Sequence, residues 1–160
     1  MLPVNKILCP TDFSEHSYKA VKAAEELAKK LSATLLLVHV VPPVPDSSML
    51  QTGPTGYSAP SSAGGFNITE YIKDLEANAK KSLEKIVKDK IKEDIKVETV
   101  VLAEGDESDE INQFAKDRNV DMIVVSTHGR TGLGRLFFGS VAEKIIRHAQ
   151  KPVLTIRSTE

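Results

Sequence analysis

Residues 34 to 41 read TLLLVHVV, apolar at nearly every position. A strand with one wetted face alternates polar and apolar residues. An unbroken run of this kind therefore predicts a strand covered on both faces, the usual setting of a parallel sheet. Upstream, VNKILCP (residues 4 to 10) is another short aliphatic run, closed by a proline, and predicts a second buried strand. Between them Ala20, Val21, Ala24, Leu27, Ala28 and Leu31 recur at spacings of three and four, which predicts a helix from its N-cap Ser14 to about Leu31.

Downstream the alternation continues. Residues 42 to 65 hold five of the eight prolines and four of the nine glycines, follow neither period, and are read as a mobile surface loop. Ile68, Ile72, Leu75, Ala79, Leu83 and Ile86 then mark a long amphipathic helix with a charged outer face. KVETVVLAEG (96 to 105) alternates in part and predicts a strand nearer the sheet edge. A short helix with Ile111, Phe114 and Ala115 inward follows, then the strand DMIVVS (121 to 126). A helix from Ser140 to His148, with Val141, Ala142, Ile145 and Ile146 as its apolar residues, leads to a fifth strand, PVLTIR (152 to 157). Strict strand-helix alternation predicts an α/β fold: a doubly wound five-stranded parallel sheet with right-handed crossovers and helices on both faces. Ligands of such sheets sit beyond the carboxyl ends of the strands, where strand order reverses.

The 160 residues fit one domain, 1–160, with a single core. Net charge is −1, from 21 basic and 22 acidic residues, so no global field gathers nucleic acid or an anionic membrane and any anion site must be local. Cys9 is the only cysteine, which excludes an intramolecular disulfide and reads as a buried thiol in a reduced compartment. The opening MLPVNKILCPTDF lacks the basic and long apolar regions of a signal peptide, and no stretch approaches the ~18 apolar residues of a membrane span. A cytoplasmic protein is the expectation. The four histidines are scattered and assemble no metal cluster.

Two segments follow strands and carry the candidate chemistry: CPTDFS after the first strand and STHGRTGLGRLFFGS (126 to 140) after the fourth. In the second, the amides of Gly139, Ser140 and Val141 open a helix, where unpaired N–H groups and the positive dipole end attract phosphate. Gly129 and Gly139 leave room for a phosphate to approach the backbone. From the residues alone two readings stand open, a polyphosphate cradle and a loop whose glycines merely turn. No Gly-Lys-Ser/Thr ending of a Walker loop is present, and PTDFSE contains no glycine, so neither a P-loop nor a dinucleotide fingerprint is present. His128, between Thr127 and Gly129, is read either as a phosphate neighbour or as a loop cap, and Arg130 and Arg135 either as phosphate neutralisers or as solvated residues. His39, inside an apolar strand, reads as a core histidine with its hydrogen bonds satisfied.

The residues also carry a resemblance. ILCPTDFSEHS, LLLVHVV and GSVAEKIIRHAQKPVLTIR resemble the universal stress protein family over essentially the whole chain. Its ATP-binding branch shows Gly, two residues, Gly, nine residues, Gly-Ser; Gly129, Gly139 and Ser140 match, whereas the first glycine falls on Ser126. The resemblance implies a Rossmann-like fold of the adenine nucleotide alpha hydrolase type. It implies ATP as ligand, with magnesium as its companion, and triphosphate against Gly129, Gly139 and Ser140. Asp12 would hold ribose or adenine, Pro10 and Thr11 would shape the wall, Val40 would offer backbone groups to adenine, and Ser126 would lie beside the ribose. The terminal strand, as a sheet edge, implies a homodimer through residues 152 to 157. Three functions compete: a nucleotide-dependent stress or regulatory module, a slow ATPase or nucleotidyl-transfer enzyme, and a nucleotide-free dimeric interaction protein.

Overall fold

A computed structural model describes residues 3–41, 68–103, 105–127 and 139–157. The loop expected at 42–65 lies outside them, as do His128, Gly129, Arg130 and Arg135. In chain order the elements are β1 (Lys6–Pro10), α1 (Glu15–Leu31), β2 (Thr34–Val41), α2 (Ile68–Asp89), β3 (Val97–Ala103), α3 (Glu107–Asp117), β4 (Met122–Ser126), α4 (Ser140–His148) and β5 (Val153–Ile156). The strands form one sheet in the order β3-β2-β1-β4-β5, every pair parallel. The chain winds outward from β1 to β3, crosses back to β4 on the other side of β1, and ends at β5. The order therefore reverses between β1 and β4.

Winding in two directions puts helices on both faces. Ile7, Cys9, Leu35, Leu37 and Val124 pack with Ala20, Val21, Ala24 and Ala28 of α1 and with Leu83 and Ile86 of α2. Leu8, Leu36, Val38, Ile123 and Val125 pack on the opposite face with Ile111 and Ala115 of α3 and Ala142 and Ile145 of α4. Successive residues of a strand point to opposite faces, so a strand between two helical layers must be apolar throughout. That is why TLLLVHVV has no polar period. β3 and β5, the edges, are only partly buried along their lengths, in keeping with the edge position read for residues 96 to 105.

Helix ends follow local chemistry. Ser14 caps α1 by accepting from the Ser17 amide, and the amide of left-handed Ser32 (φ 54°) closes the other end on carbonyls of the last turn. Gly105 has φ +137°, and a Cβ there would meet the Glu110 side chain at 2.7 Å, so the turn into α3 requires glycine. Two apolar side chains of the short helices are not fully enclosed. Ile146 is 41% exposed, because Ala142 and Ile145 already fill the narrow stripe that nine-residue α4 turns to the sheet. Phe114 is half-buried and packs against the α3–α4 core, in keeping with its inward assignment, with the Arg118 guanidinium 5.5 Å from its ring centre.

One clamp has no periodic signal in the sequence. Glu25 of α1 is 4% exposed, and its Oε1 accepts from the backbone amides of Lys92 and Glu93, the latter at 2.7 Å. A buried carboxylate thus ties α1 to the α2–β3 connection. At the same edge of the sheet, where the strands begin, Asp121 Oδ2 accepts from the amides of Asn5 (2.8 Å) and Lys6 (3.0 Å) and joins the starts of β1 and β4.

Candidate site at the strand-order reversal

The turn from β1 into α1 is built from its own hydroxyls. The Phe13 amide donates to Thr11 Oγ1 at 3.1 Å, and the Ser17 hydroxyl donates to the Ser14 carbonyl at 2.8 Å. Because that donation uses Ser17's one proton, the 2.9 Å contact between Thr11 Oγ1 and Ser17 Oγ runs from threonine to serine. Asp12 Oδ1 accepts from the Ser14 amide (3.0 Å) and hydroxyl (2.6 Å). Asp12 therefore caps this turn through Oδ1. Thr11 is buried with its hydroxyl turned toward α1, so its share of any ligand wall is backbone. Pro10 is half-buried at the end of β1.

β2 runs further than β1. The β1–β2 register ends at Pro10↔Val38, while β2 stays paired with β3 to Val41↔Ala103. Thr34 donates to the Asn5 carbonyl and Val38 accepts from the Thr11 amide, so even-numbered residues of β2 aim their backbone groups toward β1; Leu35 donates to the Lys96 carbonyl on the β3 side. By this alternation Val40 aims its N–H and C=O at the space beyond the end of β1. Its side chain is core. His39 is half-buried, not the enclosed core histidine expected: Nδ1 lies 2.7 Å from the Thr11 carbonyl, and the ring packs on Phe13.

Across the gap, Ser126 and Thr127 are buried at the end of β4, where Ser126 is in register with Ile156. Gly139 is the N-cap of α4, with φ −60° and ψ 147°, a conformation open to any residue. Its amide donates to the Thr127 carbonyl at 2.7 Å, which corrects the expectation that it awaits phosphate. That bond fixes where α4 begins. The amides of Ser140, Val141 and Ala142 are the ones that α4 itself has no carbonyl to satisfy, since the first intrahelical bond runs from Glu143 to the Gly139 carbonyl. Ser140 is exposed and Val141 half-buried. Glu143, in this first turn, is ion-paired with Arg147 at 2.9 Å, which tempers its repulsion of an incoming anion.

A second clamp sits beside this helix end. Asp106 caps α3 through the amide (3.0 Å) and hydroxyl of Ser108 and also accepts from Lys144 Nζ of α4 at 2.5 Å. Lys144 and the Ser108 donors hold its carboxyl well below the usual carboxylate range. Sequence reasoning did not name it, although Asp-x-Ser directly after Gly105 is a capping signal. Burial pushes the Cys9 thiol up to about 12, so Cys9 is core and no nucleophile at neutral pH. A shallow groove of about 430 Å³ between α2 and β3, lined by Lys73, Glu76, Lys80, Thr99 and Val101 among others, lies on the outer edge of the sheet, away from this crevice.

The architecture is that of a small doubly wound α/β domain. Its crevice, at the reversal of strand order, is walled by a capped carboxylate turn, a projecting strand backbone and a helix N-terminus. Residues 3–157 match the model of the universal stress protein family, so the chain belongs to that family. Universal stress protein MJ0531 of Methanocaldococcus jannaschii is 34% identical over 152 residues, covering 95% of this chain and 81% of the relative. Universal stress protein MJ0577 of the same organism is 32% identical over 158 residues, covering 95% and 94%. The solved structure of MJ0577 superposes with a TM-score of 0.75 and 28% identity over 99% of each chain. A universal stress protein from Archaeoglobus fulgidus, solved in complex with dAMP, superposes with a TM-score of 0.60 over 98% of this chain and 99% of that one; at 23% identity it supports the fold.

Proposed function

We propose that this protein is an ATP-binding regulatory module that holds its nucleotide in the crevice between the ends of β1 and β4. The observation that carries the reading is the mismatch in strand length. β1 stops at Pro10 while β2 continues, so the Val40 backbone pair and the Asp12 turn stand together at the strand-order reversal. An adenine edge offers one donor and one acceptor, which suits a strand's exposed N–H and C=O; ribose hydroxyls suit a carboxylate. The triphosphate would run toward Ser140 and Val141, whose amides and helix dipole favour anions. Gly139 supports the same direction. Its negative φ does not require glycine, so the missing side chain serves close approach rather than backbone freedom. The expected partners His128, Gly129 and Arg130 belong to the same β4–α4 connection, and magnesium would be held chiefly by phosphate oxygens and water.

The dAMP complex of a family member supports an adenine nucleotide. Binding without rapid turnover is the activity proposed, in the cytoplasm, with occupancy read out through a homodimer at β5. Asp12 is assigned to the sugar end, remote from the γ-phosphate, where fast phosphoryl transfer needs an aligned nucleophile and a well-held metal. The test is mass analysis of small molecules released by heat from freshly purified protein. ATP or ADP in near-stoichiometric amount is expected. Neither nucleotide released, together with no ATP uptake by the refolded or dialysed protein, would end the proposal.

A further inference from the structure

Phe13 has a backbone φ of +65°, a left-handed conformation that a bulky side chain holds only when its surroundings impose it. One group lies against both neighbours of Asp12. The imidazole of His39 packs on the Phe13 ring, with centroids 4.3 Å apart and planes at 35°, and its Nδ1 lies 2.7 Å from the Thr11 carbonyl. A carbonyl oxygen only accepts, so Nδ1 carries the proton and donates. His39 comes from β2, a different strand from the turn it holds, so the grip spans β1 and β2.

We infer that His39 is a positioning residue for the ligand crevice: through the Thr11 carbonyl and the Phe13 ring it fixes the direction of the Asp12 carboxylate without touching ligand itself. This rests on the nucleotide reading above and adds to it the residue on which recognition of the nucleoside end depends. A histidine that merely filled space would be replaceable by another flat ring. A positioning histidine is dissected by its two contacts: His39→Phe keeps the ring and removes the donor, His39→Asn keeps a donor close to the Nδ1 position and removes the ring, and His39→Ala removes both.

The experiment is titration calorimetry of each folded variant with two probes, adenosine and inorganic tripolyphosphate. His39→Phe is expected to weaken adenosine about three- to tenfold, the effect of one net hydrogen bond, and His39→Ala more than that. His39→Asn should recover part of the loss seen in His39→Ala. Tripolyphosphate affinity should stay within about twofold throughout, because the helix end that would take it does not rest on His39. Should His39→Ala fail to fold, the phenylalanine and asparagine variants carry the comparison. Wild-type adenosine affinity in His39→Phe would overturn the inference and leave the nucleotide reading standing, as would parallel weakening of both probes. Wild-type protein that binds neither probe would overturn both.

Discussion

Asp12 shows why single residues here do two jobs. Its Oδ1 makes the local cap that lets the chain leave β1 and enter α1, and the same cap holds the carboxyl at the mouth of the crevice. Glu25 has a purely structural counterpart of that role. Glu25→Ala leaves the Lys92 and Glu93 amides without their acceptor and is expected to lower unfolding free energy by about 1–3 kcal/mol in urea denaturation, with Glu25→Gln recovering part of it. Asn112 is the opposite case: its buried Nδ2 and Oδ1 have no hydrogen-bond partner among the described residues. Asn112→Leu should therefore stabilise, by about 1 kcal/mol or more, since an unpaired buried amide is costly and an apolar group of similar shape is not. A loss of stability in that variant would show that the amide is satisfied in solution.

The helices and strands were legible wherever burial is periodic. β1, β2, β4 and α1 lie close to where their apolar patterns put them, because two-sided burial and a helical stripe each leave a distinct spacing. Ile146 shares the apolar spacing of α4 yet is exposed, since a short helix turns only a narrow stripe inward. Glu25, Asp106 and the Gly139–Thr127 bond were not legible, because each joins elements distant in sequence or uses backbone alone. The Asp106–Lys144 clamp between α3 and α4 makes a pH prediction. A carboxyl held low when folded binds protons less readily than in the unfolded chain, so its contribution is complete above the ordinary value of about 3.9 and fades as pH falls below it. Asp106→Asn should therefore lose more melting temperature at pH 7 than at pH 2.5, where part of the contribution has already faded; an equal loss at both would show that the carboxylate charge is not what the clamp contributes. Leu36, fully enclosed between the two helical layers, is expected to cost about 2–5 kcal/mol as Leu36→Ala.

Considered as one body, the molecule places its crevice at the reversal of strand order between β1 and β4 and leaves β5 as an edge carrying Leu154, 38% exposed. Pairing of that edge with a second copy predicts a dimer in sedimentation at micromolar concentration and a monomer for Leu154→Lys; a monomeric wild type would refute it. The central claim is the position of the nucleotide, and an ATP titration followed through backbone amide resonances tests it most directly. Shifts are predicted at Asp12, Phe13, Val40, Ser140 and Val141, and they should be largely lost in Gly139→Val, whose backbone geometry valine can adopt. Shifts confined to the α2–β3 groove around Lys73, Lys80 and Thr99, or none at millimolar ATP, would contradict it.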